Sequence, residues 1–199
     1  MPRQIDREER IAEIHDAVLR LIVRSGVSAA SLRNVAEESG INIGSVRHYV
    51  GSHAEMLRGA ARRMWTGTAV RLTTRLQQHD PQEDPEARRE FAVDLLEELV
   101  PLDERRRDET TVWLSLLDYG RVDPEIGALA REASGGIRQL AEEMLQAAGV
   151  RASAPVDALA AAVDGLAIAT LSNPAHYTRR RVRAALRWQV EQAVRSGRN

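Results

Sequence analysis

Apolar residues recur at helical spacing through almost the whole of this 199-residue chain, and no segment alternates apolar and polar residues as a half-buried strand would. The pattern therefore predicts an all-α fold. Ile11, Ile14, Val18, Leu21 and Ile22 share one face of a first helix, with Gly26 placed to stop it. Ser31 caps a second, short helix with Leu32, Val35 and Ala36 inward. "ESGIN" then supplies a turn at Gly40, an apolar plug at Ile41, and Asn42 as cap of a third short helix that buries Val46 and Val50. Ser52 and Glu55 form a capping box that opens a long fourth helix, which runs to the polar breaker "QQHDPQEDP".

Beyond the breaker the spacing predicts helices over about 86–99, 103–122, 124–148, 156–171 and 178–195. Trp113, Leu116, Leu117 and Gly120 are expected inward from the second of these, and Ile126, Leu129, Ala133, Ile137, Leu140 and Met144 from the third. Gly135 and Gly136 predict a kink there, since each glycine weakens a helix interior by about 0.5–1 kcal/mol relative to alanine.

Charge narrows the possible functions. The 28 basic residues, all arginine, nearly balance 29 acids, so any nucleic-acid contact must be local rather than a property of the whole chain. Without lysine there is no Walker or Schiff-base lysine, and without cysteine no disulfide frame or thiolate chemistry, which fits a reducing, cytoplasmic compartment. The charged N-terminus lacks an apolar signal core, and Asp164 interrupts the longest apolar run, Ala158 to Leu171, so no membrane partner is expected.

Within this balanced chain, Ser39 to Ala54 contains no Asp or Glu. Two short helices joined by a Gly turn are a helix-turn-helix, whose second helix enters the major groove. Gly40 would supply the left-handed turn, and Gly44, bare of a side chain on the first turn of that second helix, would let backbone approach DNA. A carboxylate there would repel phosphate. A generic helical hairpin with a polar surface is the alternative, and composition alone leaves it open.

"SLRNVAEESGINIGSVRHYVGSHAEML" resembles the DNA-binding segment of the TetR family of bacterial transcription regulators, roughly T-x-x-x-I-A-x-x-A-G-V-S-x-G-x-L-Y-x-H-F-x-x-K-x-x-L. Ser31, Val35, Ala36, Gly40, Ile41, Gly44, Val46, Tyr49, Val50, Glu55 and Leu57 match or conservatively replace its members, while Arg47 stands at a usual tyrosine and His53 at a usual lysine. The resemblance implies that Arg33, Ile43, Ser45 and His48 reach base edges, and that Ser31, Asn42, Arg47, Tyr49 and His53 face phosphate. Ser31 and Asn42 would also serve as plain helix caps, and Tyr49 as core.

The same resemblance implies residues 1–52 as a DNA-binding domain and 53–199 as a ligand-binding and dimerisation domain. Leu159, Val163, Ala167 and Thr170, with Val182, Leu186, Gln189, Val190 and Ala193, are expected to pair with their symmetry mates in a four-helix bundle, setting two recognition helices about 34–36 Å apart on a palindrome. Alternatively, these residues complete the monomer core. Trp65, Phe91, Leu95, Trp113, Leu117, Met144 and Leu166 are candidate walls of an effector pocket, and Asp164 is placed to meet a cationic ligand or an interface hydrogen bond.

Competing chemistry is sparse. His48 and His53 are poorly spaced for a metal, His15, His79 and His176 are isolated, and no G-x-S-x-G elbow occurs. No catalytic residue, metal site or cofactor is expected. The expectation is a homodimeric, ligand-responsive transcription regulator, its rival a helical small-molecule carrier without specific DNA binding.

Overall fold

The computed structural model describes residues 7–77 and 84–197; residues 78–83, which hold His79 and most of the breaker, lie outside them. Every regular element among the described residues is helical: α1 (Arg7–Ser25), a 3-10 turn (Val27–Ala29), α2 (Leu32–Ser39), α3 (Ile43–Val50), α4 (His53–Gln77), α5 (Pro85–Glu97), α6 (Glu104–Tyr119), α7 (Pro124–Ala147), α8 (Ser153–Ser172) and α9 (Arg179–Ser196). The turn chemistry follows the sequence. Gly26, Gly40, Gly51 and Gly149 hold positive φ, and the Ser52–Glu55 box closes reciprocally, Ser52 N–H donating to the Glu55 carboxylate at 2.8 Å and Glu55 N–H to Ser52 Oγ at 3.3 Å. α7 stays helical through Gly135 and Gly136. The short 3-10 turn after Gly26 was not legible in the periodicity.

The chain divides into two compact units, 1–67 with 111–131 and 68–110 with 132–199. The division therefore does not fall at residue 52. Packing explains why: Ile14, Val18 and Ile22 of α1, Val35 of α2 and Val46 of α3 share one core with Met56, Leu57 and Met64 of α4, Leu116 of α6 and Ile126 of α7. Each such side chain taken from water contributes about 1.5–3 kcal/mol, so the three-helix module and the start of α4 are stabilised as one body.

The second unit has its own core. Val93 and Leu96 of α5, Leu140 and Leu145 of α7, Leu159 and Val163 of α8 and Val182, Leu186 and Val190 of α9 are buried together. This corrects the expected dimer face. Leu159, Val163, Ala167, Thr170, Val182, Leu186, Val190 and Ala193 are all buried within one chain, and Gln189 is half-buried. Leu159, Val163, Val182, Leu186, Val190 and Ala193 belong to the core of their own unit, so their side chains present little surface to a partner. The stripe left uncovered on α8 is Ala158, Ala161, Gly165 and Ile168, and on α9 it includes Ala184 and Trp188. Ile168 is 43% and Trp188 57% exposed.

Candidate nucleic-acid interface

Sequence chemistry builds the reading head from its turn outward. Ser31 caps α2 by accepting from Asn34 N–H at 3.2 Å, and Asn34 in turn donates to the Ala29 carbonyl at 2.9 Å. α2 ends at Gly40, whose φ of 69° is left-handed. Gly40 N–H donates to Glu37 O at 3.4 Å and Ile41 N–H to Ala36 O at 3.1 Å, the double bond of a Schellman close, with Ile41 plugged into the core beside it. Asn42 then caps α3, its side chain accepting from Ser45 N–H at 2.9 Å. The three residues between the helices, Gly40, Ile41 and Asn42, thus close the end of α2 and cap the start of α3.

What α3 shows to solvent is polar or small, with one apolar exception. Asn42, Ile43, Gly44, Arg47 and His48 are exposed, Ser45 and Tyr49 half-buried, and Val46 and Val50 face the core. Ile43 is 53% exposed, an apolar tip held in water at the start of the helix, suited to a thymine methyl. A Cβ on Gly44 would meet only the Asn42 side chain, at 3.4 Å, so this turn of α3 is open toward solvent. The His48 and Tyr49 rings stand edge to face with centroids 5.6 Å apart, and Tyr49 packs against the core. Arg33 is exposed at the start of α2, and His53 is the first residue of α4.

The acids that bracket the acid-free run are both occupied. Glu38 accepts from Arg20 at 2.9 Å and Arg24 at 2.7 Å, and these hydrogen bonds, Arg24's foremost, hold its carboxyl below the usual range. Glu55 is lowered by the Ser52 backbone N–H it accepts. Neither carboxylate is free to turn toward a phosphate.

The candidate effector residues do not converge within one unit. Trp65 packs partly on the first core, Trp113 is half-buried with its indole nitrogen buried and unpartnered, and Leu117, expected inward, is 43% exposed because Val112 and Leu116 take the buried face of α6. In the second unit Leu95 is buried, Phe91 half-buried, and Met144 and Leu166 pack against the core. Asp164 is half-buried on α8 and burial raises its carboxyl pKa. Among the described residues no group of His, Cys, Asp and Glu is arranged to hold a metal ion. The periodicity also missed the density of arginine–carboxylate pairing between α5 and α9, where Arg183 meets Asp94 at 2.5 Å and Glu90 at 2.7 Å, because ion-pair partners 80 or more residues apart carry no local signal.

Comparison with known proteins agrees with this geometry. The sequence model of the family "BetI-type transcriptional repressor, C-terminal" matches residues 88–195. The chain is 29% identical to the HTH-type transcriptional regulator PksA of Bacillus subtilis over 96% of its own length and 93% of that protein's. It is 38% identical to BetI of Burkholderia thailandensis over 73 residues, 35% of this chain and 37% of that one. Among solved structures, a transcriptional regulator of Saccharomonospora viridis in complex with choline superposes with a TM-score of 0.80 at 25% identity, over 92% of this chain and 96% of that one. A Rhodococcus transcriptional regulator does so at 0.79, also at 25% identity, covering 94% and 96%. The chain belongs to the TetR family of transcriptional regulators, with a C-terminal region of the BetI repressor type.

Proposed function

We propose that this regulator is a cytoplasmic homodimeric repressor that reads a palindromic operator with α3 and is released by a small organic cation. The observation that carries the DNA half is the solvent face of α3: Ile43, Gly44, Arg47 and His48 exposed together, with no acid on the helix and both flanking acids tied down. Arg33, Ile43, Ser45 and His48 read base edges, while Ser31, Asn42, Arg47, Tyr49 and His53 line the phosphate side. Ser31 and Asn42 already cap helices by accepting through their side-chain oxygens, so their phosphate contacts would come from the donors left over, the Ser31 hydroxyl and the Asn42 amide N–H. Binding to the inverted repeats upstream of its own gene, measured by gel shift, tests this; affinity equal to that for scrambled DNA would overturn it.

Dimerisation uses the uncovered side of the α8–α9 pair. α8 has a mean hydropathy of 1.5, enough by length and composition for a membrane span, yet only 28% of it is buried in its own chain. Ala158, Ala161 and Gly165 permit close helix approach, and Ile168 and Trp188 supply apolar area for a second copy to cover.

The cation is proposed from the choline-bound relative and from Asp164, a half-buried carboxylate on α8 with no hydrogen bond or ion pair to another described residue. Effector binding would shift a pre-existing equilibrium of the dimer away from the DNA-competent spacing. Choline and larger quaternary ammonium ions, titrated against the operator complex, should release DNA from the parent and not from Asp164→Asn. Release of both alike would remove Asp164 from the site.

A further inference from the structure

The two halves of α4 are held by different physics. Met56, Leu57, Ala60, Ala61 and Met64 anchor its first half in a core, but no residue from 65 to 77 is fully buried, and within the second unit only Leu72 packs partly on apolar side chains. The polar attachments of this second half fall on two carboxylates, Glu98 and Glu109, and Glu98 gathers the larger number of guanidinium groups. Arg75 Nη2 lies 2.8 Å from Glu98 Oε1 and Arg71 Nε 3.8 Å from Glu98 Oε2, while Arg71 Nη2 also reaches Glu109 at 2.6 Å. From α6, Arg105 Nη2 stands 3.5 Å from Glu98 Oε2 and Arg106 Nη1 3.8 Å from Oε1.

Glu98 is 7% exposed and sits at the C-terminal cap of α5, where the negative end of the helix dipole disfavours an acid. Nothing in the local energetics of α5 calls for a carboxylate here. Four guanidinium groups from two other helices do, and without them its desolvation would go uncompensated.

We propose that Glu98 is a latch: the shared counterion through which α5 and α6 hold the second half of α4, and which thereby sets operator affinity. A helix end seated by core packing has one tight minimum, whereas an ion-paired one can slide and exchange partners at low cost. Arg71 hydrogen-bonds Glu109 while its Nε stands 3.8 Å from Glu98 without a hydrogen-bond partner, so it already faces two carboxylates on different elements. α4 starts at His53, three residues after α3 ends, so freedom in its second half reaches the reading head through one continuous helix. The link to affinity rests on the operator-binding reading above; the latch itself does not.

The test is hydrogen exchange on the full-length chain, followed by operator titration. Glu98→Gln keeps the shape and removes the charge, and Arg75→Met removes one guanidinium while keeping the stem. In both, amides of residues 68–77 should exchange about tenfold faster with those of α1 to α3 unchanged, and the total acceleration in the double variant should fall short of the product of the two single accelerations. Operator affinity should fall about three- to tenfold in each. Should Glu98→Gln exchange everywhere as an unfolded chain does, Arg75→Met decides. Unchanged exchange at 68–77 in Arg75→Met overturns the latch, and faster exchange with unaltered operator affinity overturns its link to DNA. A parent protein that binds no operator at all, with exchange at 68–77 still faster in the variants, would instead sink the operator reading and leave the latch standing as the anchor of α4.

Discussion

Gly127 lies against the carbonyl of Gly120 so closely that a Cβ on Gly127 would stand 2.6 Å from that oxygen, and a Cβ on Gly120 only 2.7 Å from the Gly127 α-carbon. Backbone meets backbone where α6 ends and α7 begins, and neither side can swing away as a side chain would. Gly127→Ala should therefore cost about 1–3 kcal/mol in urea unfolding. Gly135→Ala, on the same helix with nothing within 4 Å of its Cβ position, should instead stabilise by about 0.5–1 kcal/mol. Equal effects at the two positions would show that the α6–α7 approach is looser than described.

His15 of α1 packs its imidazole over Gly59 of α4, and burial foremost, with the neighbouring Arg63 guanidinium second, lowers its pKa, opposed by Asp16. A depressed histidine pKa means the unfolded chain takes up the proton first. Its contribution to stability is thus complete above about pH 6.5, the unfolded value, and is lost as pH falls toward the lower folded value. Thermal unfolding of the parent should lose more between pH 7.5 and 5.5 than that of His15→Gln. Parallel losses would show that His15 titrates alike in both states.

Burial separates two classes of residue on α8 and α9. Ile168→Glu should leave the fold intact and give a monomer by light scattering at micromolar concentration, because a carboxylate placed on the uncovered face opposes a second copy. Leu186→Ala, fully buried, should instead cost about 2–5 kcal/mol of stability. A dimeric Ile168→Glu variant would place the interface elsewhere.

Arg33 is exposed at the start of α2, free to fork to a guanine. Arg33→Ala should weaken operator binding by about 1–3 kcal/mol and relax the preference at one base pair of each half-site. Uniform weakening across all sequences would make it a phosphate contact instead.

Local chemistry was written plainly in the sequence. Gly40, Asn42, Ser52 and Glu55 each act within five residues of their partners, so the helix-turn-helix, its caps and the start of α4 could be read from spacing alone. Its solvent face was legible for the same reason: on an eight-residue helix with Val46 and Val50 inward, the remaining positions are settled by the 3.6 period. α8 defeated that reasoning. It is apolar on nearly every side, and periodicity cannot tell the stripe that meets its own core, Leu159 and Val163, from the stripe left uncovered, Ala161, Gly165 and Ile168. Only the docking of α9 and α5 chose between them. Glu98 belongs to the same class, since its four guanidinium neighbours lie on helices brought together by the fold, and a carboxylate's partners are selected by distance in space, which sequence spacing does not encode.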